Sequence, residues 1–115
     1  MIDGIDAIII NFKLLMRIEM WSEIKGENRI GSEGGEIIND YEHSLGARVT
    51  LEKNGDVAPF SITVGVYGSF FHTVYMGSLC EGVAIFKSMK SDIGEYLNNP
   101  QKAESSWVEN FVNRY

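Results

Sequence analysis

Cys80, His43 and His72 are the residues of this chain best suited to act as nucleophile, general base or soft metal ligand. Cysteine reacts as its thiolate, and the aligned dipoles at a helix N-terminus favour that form. Ser78 followed three residues later by Glu81 is the signature of a capping box, so Cys80 sits in the first turn of a capped helix and is the candidate reactive thiol. A cysteine nucleophile also needs an imidazole within hydrogen-bond reach and a third group to orient that ring. Neither histidine is supplied locally, and a small residue packed at a helix start needs no such partners. Two histidines and one cysteine without close spacing, and no HExxH pair, give no metal-binding pattern. The sequence therefore assigns no catalytic residue, metal or cofactor.

The glycines between Gly26 and Ser32 are spaced somewhat like those of a phosphate-binding loop. Ser32 stands where that motif requires lysine, and Glu27 and Glu33 would repel a phosphate. Binding chemistry is better supported by aromatic residues. Tyr67, Phe71 and Tyr75, with Phe60 and with His72 as a polar contact, suit a small-molecule pocket between a sheet and its helices. Trp21 and the same aromatic group also suit a protein interface.

These residues need elements to hold them, and the hydrophobic spacing predicts an α+β domain spanning residues 1–115. A helix is expected over 2–24. Its two apolar stripes, one through Ile5, Phe12 and Met16 and another through Ile10, Leu14, Ile18 and Trp21, require two covering surfaces. Residues 25–36, rich in glycine and charge, read as a mobile surface loop. A three- to four-stranded antiparallel meander follows, the fourth strand being 36–42. Ala47, Val49 and Leu51 alternate with Arg48, Thr50 and Glu52, and Asn54-Gly55 suits a two-residue type I′ turn that sets Val49 opposite Phe60.

The next strand, 70–76, allows two registers. A two-residue turn at Gly68-Ser69 puts Phe71, Thr73 and Tyr75 on the core face; a three-residue loop puts Phe70, His72, Val74 and Met76 there. A helix over 78–97 and a last helix carrying Trp107, Phe111 and Tyr115 are expected to pack on one face of the sheet.

Composition narrows the function classes. Hydrophobic residues make up 44% and charged residues 23%, as in ordinary folded domains. No apolar run approaches the ~18 residues of a membrane span. Asp3 and Asp6 precede the first apolar stretch, unlike a secretory leader, and a single cysteine allows no intrachain disulfide; both favour the cytoplasm. A net charge of -6 repels nucleic acid and suits a basic protein partner. Apolar patterning on two faces of both the first helix and the last strand exceeds what one small domain covers, which points to a homodimer. The resulting expectation is a small acidic, non-enzymatic interaction protein: an adaptor, chaperone-like or neutralising module. A small-molecule binder and a Cys80-dependent enzyme are the alternatives.

Overall fold

The computed structural model describes residues 20–99 and 104–115. Five strands run in chain order across one antiparallel sheet: β1 (Trp21–Glu23), β2 (Glu36–His43), β3 (Ala47–Lys53), β4 (Phe60–Val66) and β5 (Phe70–Met76). Two helices follow, α1 (Leu79–Asn98) and α2 (Glu104–Arg114). The α+β class stands, with five strands in place of the expected three or four.

Most of the helix expected over 2–24 lies outside the described residues. Its end is not helical: Trp21–Glu23 pairs with Tyr41–His43 as an edge strand. Trp21 gains there an edge-to-face contact with His43, their ring centroids 4.8 Å apart. Helical spacing alone could not anticipate this, because Leu14, Met16, Ile18 and Met20 also alternate as in a strand, so the pattern leading into Trp21 fits either period.

The β3–β4 connection also departs from the two-residue turn. Phe60 pairs with Lys53 and Val49 with Val64, so residues 54–59 all lie outside the ladder. Asn54 alone of the Asn54-Gly55 pair takes a left-handed backbone (φ 57°), and its N–H reaches the Pro59 carbonyl at 2.7 Å. Proline has no amide to donate to a tighter ladder. The partner of Val49 shifts by an even number of residues, so the apolar rows of both strands still share one face.

Between β4 and β5, Val66 pairs with Phe70, leaving the three-residue loop Tyr67, Gly68 and Ser69, with Gly68 at φ 79°. This selects the second of the two expected registers. Phe70, His72, Val74 and Met76 face the helices, and Phe71, Thr73 and Tyr75 face away.

The core is a single layer between that inner face and α1. Val49, Leu51, Ile62 and Val64 are completely buried against Met89 and Ile93, with Phe86 beside them. Ser78 caps α1 by accepting the Glu81 N–H at 3.2 Å. At the far end of the sheet α2 docks through Phe111, which meets Phe70 edge to face and stacks on Trp107.

Candidate functional site

The outer face of the sheet, turned away from both helices, is polar at its centre, and the structure buries much of that polarity. Asp40, Thr50 and Glu52 lie at or below about a tenth exposed, although neither described helix covers them. The cover is the chain between β1 and β2, which folds back along the sheet. Its N–H and C=O groups are committed at several points: Ile24 N–H to Asp40 O, Gly31 N–H to Gly35 O, and Ile37 N–H to Arg29 O.

Two carboxylates hold this segment. Asp40 accepts both Arg48 Nε and Nη2, at 2.8 and 2.6 Å, as well as Arg29 Nη1 at 2.7 Å and the Thr50 hydroxyl at 2.9 Å. Burial by itself raises the Asp40 pKa, but the hydrogen bonds from Arg48, Arg29 and Thr50 together outweigh it and hold the carboxyl below its ordinary value. Arg29 is itself tied to the chain start of the loop through Nη2 to the Ile24 carbonyl at 2.8 Å. Glu52 is wholly buried and accepts the main-chain N–H of Gly35 at 3.0 Å and of Glu33 at 3.2 Å.

The loop glycines follow from this geometry. A Cβ on Gly31 would fall 2.2 Å from the Glu52 carboxyl carbon, and one on Gly35 would fall 2.6 Å from the Lys53 carbonyl oxygen. Backbone and carboxylate approach too closely for any side chain between them.

Beside the loop an open cleft of about 350 Å³ remains. Its floor is Arg48, Thr50, Glu52 and Thr63, and its rim is Ile30, Tyr67 and Phe71. Rim side chains are strongly exposed: Phe71 at 76%, Ile30 at 68% and Tyr67 at 51%. Tyr75 continues the aromatic row along β5 and donates its hydroxyl to Glu33.

Tyr67, Phe71 and Tyr75 thus share one surface, as the sequence grouping implies, but Phe60 and His72 lie on the opposite face. The five do not line a common pocket, because the three-residue loop after Val66 sends His72 inward. His72 meets Phe111 there, and burial lowers its pKa.

Trp21 lies at the other end of the inner face, in a cluster with His43, Tyr41 and Lys90. The Lys90 ammonium sits 3.6 Å from the centroid of the Tyr41 ring. Burial lowers the Lys90 pKa against the opposing charge of Glu23. His43 Nδ1 accepts the Leu45 N–H at 3.0 Å, and burial lowers its pKa too.

Cys80 is a free, exposed thiol, and no hydrogen bond joins it to either histidine among the described residues. Among those residues no group of three His, Cys, Asp or Glu side chains is arranged to hold a metal ion. A second cleft, of about 420 Å³, lies between α1 and α2, where Arg114 already pairs with Asp92 at 2.9 Å.

Sequence reasoning placed Arg48, Thr50 and Glu52 on a polar row and missed that Asp40 and Glu52 anchor a loop. The available signal was the adjacent pair Gly34-Gly35, since glycine recurs where backbone must approach another group closely. No described helix is long and apolar enough to cross a membrane. Compared with known proteins, the chain matches no family model, no curated protein and no solved structure.

Two outcomes check this geometry. Gly31→Ala should cost about 1–3 kcal/mol by driving the Glu52 carboxylate off its donors. Gly77→Ala, where an added Cβ meets nothing within 4 Å, should change stability far less in the same denaturant titration. Equal effects would show that Gly31 does not press on Glu52.

Acid provides the second check. A carboxyl whose folded pKa is depressed stabilises the fold fully above its unfolded value, ordinarily 3.8, and loses that contribution as pH falls through the lower folded value. Stability measured from pH 6 to pH 2 should therefore drop more steeply for the native chain than for Asp40→Asn. The variant should already be weaker by about 3 kcal/mol at neutral pH, with two arginines left facing a neutral group. Parallel curves would remove Asp40 from the account.

Proposed function

We propose that this chain is a non-enzymatic protein-interaction module that docks its partner on the outer face of the sheet. One observation carries the reading: a rim of more than half-exposed Ile30, Tyr67 and Phe71 surrounds a floor whose charged groups are already engaged within the chain. Asp40 is saturated by arginine and threonine, and Glu52 is bonded to backbone amides, so neither is free to serve as an acid or base at a substrate. Large aromatic side chains held out of a rigid sheet, in contrast, are what protein interfaces use as anchors.

The charge of the chain favours a basic partner. Beyond the net -6, Glu27 and Glu36 lie exposed on or beside the covering loop, and Glu42 is exposed near the end of β2. Such a field accelerates encounter with a cationic surface and is weakened by salt. An adaptor, a chaperone-like protein and a neutralising protein all act in this way. A free exposed thiol and the absence of disulfide chemistry suit the reducing cytoplasm as the place of action.

A second reading rests on the cleft itself, whose volume sits at the low end of small-ligand sites and whose walls combine an aromatic rim with Arg48 and Thr50. In it, the rim encloses a metabolite in place of a partner side chain.

The two readings separate in one comparison. Native chain and the double variant Ile30→Ser, Tyr67→Ser are used as bait at low salt, and both are screened against metabolites by thermal shift. The interaction reading expects a protein retained by the native chain, lost with the variant and released by salt, with no metabolite raising the melting temperature. A partner retained equally by both forms, or none at all, would defeat it. A metabolite that stabilises only the native chain would establish the second reading.

A further inference from the structure

His43, the last residue of β2, is only 2% exposed, and its two ring nitrogens are in opposite situations. Nδ1 accepts the Leu45 N–H at 3.0 Å, so the proton of the neutral ring is on Nε2. Nε2 is buried and meets no hydrogen-bond acceptor among the described residues. Trp21 packs edge to face with the same ring.

The turn that Nδ1 holds, residues 44–46, reaches the rim of the outer face. Ser44 donates its N–H to the Met20 carbonyl at 2.9 Å and Gly46 donates to the His43 carbonyl at 3.0 Å, which leaves the imidazole as the acceptor for Leu45. Gly46 stands at φ 104°, a conformation that favours glycine, and its carbonyl accepts the Tyr67 N–H at 2.9 Å. Two hydrogen bonds and one peptide link therefore run from a buried imidazole to an aromatic residue of the rim. Solvent reaches the turn through an open cleft of about 410 Å³ bordered by Ser22, Glu42, His43, Ser44, Gly46 and Tyr67.

We propose that His43 is a proton-operated latch: its neutral ring fixes residues 44–46 and with them Tyr67, and proton uptake releases both. The direction of the bond to Leu45 is the reason. A protonated Nδ1 is a donor facing the Leu45 N–H, another donor, at 3.0 Å, so this bond cannot survive protonation. Nor does the charged ring gain an acceptor at Nε2, and a buried donor left unpaired is costly.

No neighbouring charge reverses this. Glu23 and Trp21 of β1 share the inner face with Tyr41 and His43, and Lys90 of α1 lies over the Trp21 and Tyr41 rings. Glu42 borders the cleft, and Arg48 of β3 is bound to Asp40 on the outer face. Burial is what acts on the imidazole, and it holds the pKa below the ordinary value of 6.5. The folded ring thus takes a proton less readily than the unfolded one. Stability is fully present above 6.5 and declines as pH falls through it toward the lower folded value. The latch is closed at neutral pH and opens in mild acid. It goes beyond the docking reading and does not need it; where a partner docks on this rim, mild acid loosens its seat.

NMR of the native full chain from about pH 8 to about pH 4.5 tests the latch. The His43 ring, the Leu45 amide and the Tyr67 amide should titrate together at one midpoint below 6.5. Protection of the two amides, corrected for the intrinsic effect of pH on exchange, should fall at least about tenfold across it. His43→Asn sets a non-titrating oxygen acceptor near the place of Nδ1 and should abolish the change, whereas His72→Asn should leave it intact. Leu45 and Tyr67 amides that keep their shifts and protection while His43 titrates overturn the proposal, as does a change that persists in His43→Asn. A His43 ring that stays neutral until the whole chain unfolds overturns it as well. If His43→Asn does not fold, the native titration alone decides, with the His72 ring followed separately in the same spectra. Loss of the docking reading, seen as the absence of a retained partner, leaves this titration unchanged.

Discussion

Burying a carboxylate is costly unless donors replace the water it loses, and this fold places two of them, Asp40 and Glu52, on the sheet face turned away from the two described helices. Much of the outer face follows from meeting that requirement. Asp40 draws in Arg48 from the neighbouring strand and Arg29 from the loop. Glu52 takes its donors from the loop main chain, which must come close enough that Gly31 and Gly35 cannot be replaced without displacement. A segment of glycine-rich, charged composition is thereby laid along the sheet as a cover with defined contacts.

This arrangement decides what is left for function. The loop occupies the half of the outer face near β2 and β3, and the half near β4 and β5 stays open with its aromatic side chains outward. Charged groups in the floor serve the loop, whereas the rim has no equivalent partner within the described residues apart from the Tyr75 bond to Glu33. Exposed aromatic area on a rigid support and an acidic surround are the features on which the proposed interaction role rests. The inner face, by contrast, is spent on stability: His43, His72 and Lys90 are all held among aromatic rings, where burial disfavours their charged forms.

The parts of this architecture readable from sequence are those set by local periodicity. β3, β4, β5 and α1 follow from alternation, β-branched runs and the Ser78 cap, because each signal is contained within its own element. What was not readable depends on distant residues meeting. The strand at Trp21 forms because Tyr41–His43 offers it an edge, and the β3–β4 loop is tied to a distant segment by Asp56 donating its amide to the Glu33 carbonyl at 2.9 Å. His72 illustrates the boundary well: sequence narrowed it to two faces, and a single residue of loop length chose between them. The aromatic group Tyr67, Phe71 and Tyr75 was legible as a set, but the carboxylates beneath it were hidden, since Glu52 in an alternating strand looks like any solvent-facing acid.

The account rests most directly on the loop being fixed to Glu52, and amide hydrogen exchange of the native chain at neutral pH measures that at the atoms concerned. The Gly35 and Glu33 N–H groups should exchange at least about a hundredfold more slowly than free peptide amides, corresponding to an opening free energy of roughly 3 kcal/mol. Exchange of both at the unprotected rate would contradict it, for the carboxylate would then lack its donors and the outer face its cover.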